Sequence, residues 1–342
     1  MESGGAATTL LVMRRICGAI GAVLLSVSCR GGGLSAADTA LALNPHALVV
    51  RVLDVGQGDA TYITNGGSRV FIDGGPDEGR FAHLLDSLGV HDDTIDAVIL
   101  SHQHYDHYSG LRELFRSSRN ITVRYFFEDE DGSSASSLEE LRDSIAERVR
   151  EGSLIYRDTD DPCGDGRPVC TLSLRGGAEL HIMRPDPYDL TVNDRSAPVK
   201  LVGPDSASFT MWFGGDAERQ AIGWFMGDAG YEFNPGMRVN VLKGDHHGSC
   251  NGVMPAYLAI VRPDTAVLSI GAVNDYGHMH DQAKAVYEAA RVPWYRTDQN
   301  GTITIYSRGT PGSGYRILTG RPGVDRSGPS DRAASARGCE DN

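Results

Sequence analysis

The feature that most constrains this chain is a run of histidines directly after an apolar segment. The segment 96–100 (DAVIL) is typical of a buried strand, and SHQHYDHYSG follows it. Residues two apart at a strand end lie on the same side of the chain, so His102 and His104 can bind one metal ion. Asp106 and His107 project onward and can hold a second ion beside the first. The run therefore predicts a metal site at the end of a buried strand.

Histidine is also clustered elsewhere in the chain, and the composition allows a large core around such sites. Seven of the 11 histidines fall in three groups, at 102–107, 246–247 and 278–280. The 342 residues are 40% apolar, which excludes wholesale disorder and suggests one large domain or two ordinary ones. The net charge of −13 argues against a broad electrostatic footprint on nucleic acid or an anionic membrane, but it is compatible with a small anionic substrate held by metal ions.

The first 35 residues predict export. A basic start at Arg14 precedes the apolar run 16–27, which is shorter than the roughly 20 residues that span a bilayer and fits the core of a signal peptide. Cys29 follows as a candidate lipid anchor. Cys163 and Cys170 predict a local disulfide, as expected in an oxidising compartment. The predicted location is periplasmic, cell-envelope or extracellular.

Residues 47–308 alternate short β-branched runs with helical patterns, and they form the predicted folded domain. Asn65-Gly66-Gly67 indicates a hairpin, and the spacing of Leu138, Leu141, Ile145 and Val149 predicts an amphipathic helix. This mixture predicts an α+β layered domain with sheets inside and helices outside. Residues 309–342 are rich in Gly, Ser, Pro, Arg and Asp, and we predict a disordered tail there.

The histidine run resembles that of the metallo-β-lactamase fold family, in particular the branch that contains the hydrolase domain of the DNA-uptake protein ComEC. Other segments resemble the same branch, in the family's order and over about 260 residues: LDVGQGDA (53–60), IDGG (72–75), FGGDAE (213–218), VLKGDHHGS (241–249), NDYGHMH (274–280) and YRTDQNGTITI (295–305).

The resemblance implies a four-layer αββα sandwich with two divalent ions, Zn²⁺ or Mn²⁺. Asp216 would bridge the two ions, and one of His246 and His247 would complete the second ion's ligands, with His247 preferred. Asp73 would orient a histidine ligand or the bridging water from behind. The third histidine of the wider family has no clear counterpart, since His181 falls in a segment that aligns with a structural strand.

In place of the third histidine, the ComEC-like branch has an Asn/Ser pair, which corresponds to Asn193 and Ser196 in this chain. This pair leaves the first ion more open to water or substrate. Lys243 would stabilise charge on phosphorus or lie on a strand flank, and Asp59 would support the ligands from outside or cap a turn. His278 would donate a proton to a leaving group or fix a loop. Asp245 departs from the apolar or small residue usual in this branch.

The implied function is that of an exported hydrolase that uses a metal-activated hydroxide on a phosphodiester, with DNA as one candidate substrate and Asp106, Asp216 and His278 as the catalytic set. We expect a stand-alone enzyme without a transmembrane channel. The alternatives are hydrolysis of a choline phosphoester, thioester or lactam on the same fold, or a binding module that holds metal without turnover.

Overall fold

Two β-sheets face each other in this computed structural model, which describes residues 47–130, 134–185, 191–204, 209–227, 236–307 and 314–323. The strands are β1 (Leu48–Val52), β2 (Thr61–Asn65), β3 (Ser68–Ile72), β4 (Thr94–Ile99), β5 (Thr122–Glu128), β6 (Ile155–Asp158), β7 (Val169–Ser173), β8 (Glu179–Met183), β9 (Val199–Val202), β10 (Thr210–Phe213), β11 (Val241–Lys243), β12 (Thr265–Leu268), β13 (Trp294–Arg296), β14 (Ile303–Ser307) and β15 (Tyr315–Thr319). The first sheet has the order β15-β14-β1-β2-β3-β4-β5-β6, and the second has the order β13-β12-β11-β10-β9-β8-β7.

The helices connect these strands. The α-helices are α1 (Glu78–Leu88), α2 (Tyr105–Tyr108), α3 (Ser136–Arg150), α4 (Arg219–Met226), α5 (Pro255–Val261), α6 (Asp281–Ala289) and α7 (Thr297–Asn300). Three short 3₁₀ segments lie at Ser109–Phe115, Ser117–Arg119 and Asp245–Gly248.

Alternation along the strands places apolar side chains on both faces of each sheet. In β4, Ala97 and Ile99 contribute to the core between the two sheets, whereas Val98 belongs to the core that also contains Phe81 of α1 and Leu141 of α3. A third core joins the outer face of the second sheet to α4, α5 and α6. Each sheet therefore has a helical layer on its outer side, and the predicted αββα sandwich is confirmed.

The parallel parts of the two sheets determine where the functional loops lie. β3, β4, β5 and β6 run parallel in the first sheet, and β10, β11, β12 and β13 run parallel in the second. The histidine run follows β4, the Gly-Asp motif follows β10, and the His-His motif follows β11. Side chains from both sheets thus meet at the carboxyl ends of parallel strands, which is where α/β sheets bind ligands.

Two local predictions are confirmed and one is wrong. β2 and β3 pair from Asn65 opposite Ser68, so two glycines form the hairpin turn. Cys163 and Cys170 form the expected disulfide, with Cα atoms 5.0 Å apart. Residues 315–319 are not disordered, because they form β15 and pair with β14 along its whole length. The predicted domain boundary at residue 308 therefore falls inside the first sheet.

The predicted signal segment and the anchor at Cys29 lie outside the described residues. Within the described ranges, no helix combines the length and the apolar character needed to cross a membrane.

Candidate metal centre

The histidine run folds back on itself after β4. His102 is fully buried at the strand end, and the short helix α2 turns the chain so that His107 returns beside it, with ring centroids 4.1 Å apart. The backbone of the run is fixed to the loop after β3, because Gly74 N–H donates to the carbonyl oxygen of His107 over 2.7 Å. Nε2 of His102 and Nδ1 of His104 are 3.1 Å apart. That separation is close to the roughly 3.3 Å expected for two nitrogens on one tetrahedral ion.

Asp216 lies at the middle of the cluster. Its backbone N–H donates to Ser196 Oγ over 3.0 Å, which fixes the loop after β10. Its Oδ2 is 3.2 Å from Nε2 of His247, 3.3 Å from Nε2 of His107 and 3.8 Å from Nε2 of His102. The Asp216 carboxylate therefore lies close to candidate ligands from both the histidine run after β4 and the His-His motif after β11.

Hydrogen bonds on the far side of two rings leave their Nε2 atoms available to a metal ion. Nδ1 of His247 is 3.1 Å from the carbonyl oxygen of Ser269, which can only accept, so Nδ1 carries the proton. Nδ1 of His107 is 2.9 Å from Oδ2 of Asp73, whose other oxygen accepts Ser101 N–H over 2.8 Å. The carboxylate favours the same tautomer in His107, as in many metal-binding histidines.

Two of the candidate ligand groups among the described residues share Asp216. Asp106, His107, Asp216 and His247 make one group, and His102, His104 and Asp216 make the other, with the ligand atoms of each group within 4.8 Å of one another. Among the residues that the structure describes, the buried atoms His107 Nε2, His247 Nε2 and Asp216 Oδ1 have no hydrogen-bond partner. Buried polar atoms left without partners are costly, and convergent nitrogen and carboxylate oxygen atoms suit Zn²⁺ or Mn²⁺. The donor set therefore fits two ions with a shared carboxylate.

The electrostatics of the centre also favour cations. Burial lowers the pKa of His107, but Asp216 and Asp73 outweigh it and raise that pKa well above its ordinary value. The pKa of His247 is raised in the same way, chiefly by Asp216 against burial. Burial lowers the pKa of His102, with further lowering from His107, so this ring is neutral. Neutral imidazole is the form that binds metal.

His246 and His247 take different positions. Both have a positive φ, 46° and 52°, which turns the chain sharply between them. Nδ1 of His246 is 3.2 Å from Oε1 of Glu218, and its Nε2 is 3.9 Å from Asp216 Oδ2. His247 belongs to the group of four candidate ligands, whereas His246 does not, and the His246 side chain is partly exposed to solvent. Glu218 was not singled out from the sequence, since nothing in FGGDAE distinguishes it from a solvated carboxylate.

Asp59 and Lys243 lie behind the centre as a buried ion pair. Nζ of Lys243 donates to Asp59 Oδ2 over 2.6 Å, and the two side chains are 2% and 6% exposed. Oδ1 of Asp59 is 3.4 Å from Nδ1 of His247. Burial alone would raise the pKa of Asp59, but Lys243 and His247 lower it below its ordinary value. The Lys243 ammonium group is therefore buried against the Asp59 carboxylate, where a substrate in solution does not reach it.

The remaining predicted residues line the edges of the centre. Asn193 Nδ2 donates to Glu218 Oε1 over 2.9 Å, whereas Ser196 is fully buried against the Asp216 backbone. His278 lies 5.4 Å from the His246 ring, between centroids, and burial together with His247 and His246 lowers its pKa to about 2. His181 lies on β8 and contacts Glu179, outside both ligand groups.

Asp245 is buried beside the loop after β10. A Cβ on Gly214 would lie 2.6 Å from its Oδ1, so the glycine leaves the space that this carboxyl group fills. Burial raises the pKa of Asp245 well above its ordinary value. The departure noted in the sequence is thus accommodated inside the fold and adds no ligand to either group.

Sequence comparison supports the same family. Residues 53–161 match the profile of the metallo-beta-lactamase superfamily. The chain is 24% identical over 278 residues to ComE operon protein 3 of Bacillus subtilis (strain 168), covering 74% of this chain and 32% of that protein. It is 25% identical over 235 residues to Recombination protein 2 of Haemophilus influenzae, covering 68% of this chain and 25% of that protein. The chain thus spans a third or less of the length of these relatives.

Among solved structures, the metallo-beta-lactamase fold protein YhfI from Bacillus subtilis aligns with a TM-score of 0.44 and 12% identity, covering 72% of this chain and 96% of YhfI. A diphosphatase from the PhnP family aligns with a TM-score of 0.38 and 12% identity, covering 65% of this chain and 85% of that chain. The profile match includes the histidine run, so residues 53–161 belong to a metallo-beta-lactamase domain, and the chain shows weak homology to ComE operon protein 3 and Recombination protein 2.

Proposed function

We propose that the protein is a metal-dependent phosphodiesterase. The observation that carries the proposal is the pair of ligand groups that share Asp216. Two divalent ions held this way would supply Lewis acidity and a water of lowered pKa, which suits in-line displacement at phosphorus. The resemblance of the sequence motifs to the ComEC-like branch favours a phosphodiester substrate, and single-stranded DNA is the polymeric candidate that we would test.

The exposure of the side chains indicates where a substrate would enter. His102, His107 and His247 are at most 1% exposed and close the centre from inside. Asp106 is 28% exposed, His246 19% and Glu218 23%, so the centre opens on their side. A phosphoryl group approaching from this side would face His246 while the buried rings keep the ligand atoms fixed.

Each residue of the metal centre has its own role in this proposal. Asp216 and Asp106 would hold ions with His102, His104, His107 and His247, while Asp73 and Ser269 fix the tautomers of two of these rings. Asp59 would keep His247 oriented through its buried contact. The predicted export would place this chemistry outside the cytoplasm, with Cys29 as the proposed site of a lipid anchor.

The test is hydrolysis of bis-p-nitrophenyl phosphate and single-stranded DNA with added Zn²⁺ or Mn²⁺. We expect metal-dependent turnover that Asp216→Asn removes, together with a fall in bound metal measured by elemental analysis. Asp86→Asn is the matched control, because the Asp86 side chain on α1 is 51% exposed and belongs to none of the candidate ligand groups among the described residues, so it should affect neither measurement. Turnover in the unmodified protein that does not exceed that of Asp216→Asn on either substrate would contradict the proposal.

A further inference from the structure

The loop between β1 and β2 holds a glutamine against the His278 ring. We propose that Gln57 is a positioning residue that fixes the tautomer of His278, so that His278 presents Nε2–H as a hydrogen-bond donor to the phosphoryl group of the substrate. The role toward the substrate rests on the proposed phosphodiesterase function. The tautomer itself follows from hydrogen bonds between described residues.

The orientation of the Gln57 side chain is set by a backbone amide. Gly271 N–H donates to Gln57 Oε1 over 3.1 Å. A backbone N–H can only donate, so the oxygen of the Gln57 amide must face Gly271 and the nitrogen must face the other way. This removes the usual ambiguity between the two ends of a glutamine amide.

The nitrogen end of the amide then determines the proton on the ring. Gln57 Nε2 lies 3.2 Å from Nδ1 of His278. An amide nitrogen donates and does not accept, so Nδ1 must be the unprotonated, accepting nitrogen of the ring. The proton of neutral His278 is therefore on Nε2, at the opposite side of the ring from Gln57. Among the described residues, no hydrogen bond occupies this Nε2.

The ring itself has little freedom to turn away. Asn274 Oδ1 accepts His278 N–H over 2.9 Å, and Asn274 Nδ2 donates to the His278 carbonyl oxygen over 2.9 Å. The ring packs against those of Tyr276 and His247, with centroids 5.6 Å and 6.0 Å away and interplanar angles of 25° and 29°. His278 is 4% exposed. Backbone anchoring and stacking hold the ring, and Gln57 selects which nitrogen donates.

The location of the ring gives the donor its proposed partner. The His278 centroid is 5.4 Å from that of His246, on the partly exposed side of the metal centre. A preorganised N–H on this side can donate to an oxygen on which negative charge develops during phosphoryl transfer. Because the hydrogen bond is donated without proton release, His278 remains neutral throughout and no proton acceptor is required.

The decisive variant is Gln57→Glu. A carboxylate has nearly the same shape and still accepts Gly271 N–H, but its second oxygen can only accept from His278. The tautomer should therefore invert, with the proton moving to Nδ1. Long-range ¹H–¹⁵N correlation spectra of histidine-labelled, zinc-loaded protein report the tautomer of each ring. We expect the Nε2–H pattern for His278 in the unmodified protein and the Nδ1–H pattern in Gln57→Glu. The signals of His83 and His91, on or just after α1, provide the reference for an intact fold.

Activity provides the second measurement. We expect Gln57→Glu to lower kcat on bis-p-nitrophenyl phosphate by about 10- to 100-fold, the usual effect of losing a residue that orients a site group. His278→Gln carries an amide N–H near the position of Nε2 and has no tautomer to invert. In that background Gln57→Glu should lower kcat no further.

Three results would overturn the inference. One is an Nδ1–H pattern for His278 in the unmodified protein, and another is an unchanged pattern and unchanged kcat in Gln57→Glu. The third is an equal loss from Gln57→Glu in the His278→Gln background. Lack of phosphodiester turnover in the unmodified protein would instead overturn the proposed function and the substrate role of His278, while the spectra would still report the tautomer.

Discussion

At the residue scale, Lys243 and Asp59 form an ion pair that is buried inside the fold. Lys243→Met would leave the Asp59 carboxylate buried, 4% exposed, without its cation. Breaking a buried pair at one partner costs about 3–5 kcal/mol, and we expect a loss of that size in the free energy of unfolding. Urea unfolding of the metal-free protein measures it.

Two further variants separate the pair from a general effect of removing lysine. Lys284→Met removes a cation from the exposed pair with Asp281 on α6, and it should change the free energy of unfolding by about 0.5 kcal/mol or less. Adding Asp59→Asn to Lys243→Met removes the uncompensated charge and should recover part of the loss. Additive losses in the double variant would show that the two side chains act independently.

At the residue scale, the sequence predicts ligands better than it predicts the residues that orient them. His102, His107 and Asp216 could be found because the ligands lie in short motifs that resemble those of a known family. Ser269 and Gln57 could not be found, because each acts through one hydrogen bond to a residue 22 or 221 positions away. The pairing of Lys243 with Asp59 could not be predicted either, because the sequence of its strand does not show that the lysine side chain is buried.

At the scale of single elements, the β2–β3 hairpin depends on a glycine with two separate constraints. Gly66 has φ 58°, and a Cβ there would lie 2.3 Å from the backbone nitrogen of Gly176. Gly89, after α1, has φ 69° but nothing within 4 Å of a Cβ. Gly89→Ala should cost about 1–2 kcal/mol through the left-handed conformation alone. Gly66→Ala should cost more, because the Gly176 backbone must also move.

Thermal or urea unfolding of the two variants makes this comparison directly. Equal losses in Gly66→Ala and Gly89→Ala would contradict the close approach of the hairpin to the turn that contains Gly176. A loss confined to Gly89→Ala would contradict the turn conformation as well.

The bounds of an element follow from the sequence where apolar and polar residues alternate regularly. They do not follow where a side-chain hydrogen bond ends the pairing between two strands. The segment that contains His181, which aligns with a structural strand of the family, forms β8 (Glu179–Met183). β11 begins only at Val241, because Asn240 Oδ1 accepts the backbone N–H of Thr210 and the pairing between strands starts beyond it. β15 could not be predicted because its sequence, YRILT, does not alternate apolar and polar residues, and all five residues are accordingly half-buried.

At the scale of the whole molecule, the net charge of −13 predicts how a polyanion would bind. Repulsion between the protein and DNA should weaken binding most at low salt, the opposite of the usual loss with rising salt. We expect KM for single-stranded DNA to fall by roughly two-fold or more from about 20 mM to about 200 mM NaCl. KM for bis-p-nitrophenyl phosphate, with one charge, should change little. A KM for DNA that rises over this range would indicate a basic footprint that the composition does not suggest.

The chain after β14 also contributes to the whole fold, and Arg321 is the residue through which it does so. Nη1 of Arg321 donates to Asp54 Oδ2 over 2.9 Å, and Nη2 donates to the carbonyl oxygens of Thr297 and Asp298 over 2.9 Å and 2.8 Å. Thr297 Oγ1 in turn accepts Ile270 N–H over 2.8 Å, next to the amide that orients Gln57. The segment therefore connects β15 to the loops around the metal centre.

Arg80 and Arg321 share the Asp54 carboxylate, which makes a matched pair of variants. Arg80 is 47% exposed and Arg321 28% exposed. Arg80→Met should change the free energy of unfolding by about 1 kcal/mol or less. Arg321→Met removes three hydrogen bonds from a cation, among them the one to the Asp298 carbonyl oxygen, so it should cost about 2 kcal/mol or more. Each variant leaves Asp54 with one arginine. Equal losses in the free energy of urea unfolding would therefore mean that the residues after β14 only cover the sheet edge and do not stabilise the loops around the metal centre.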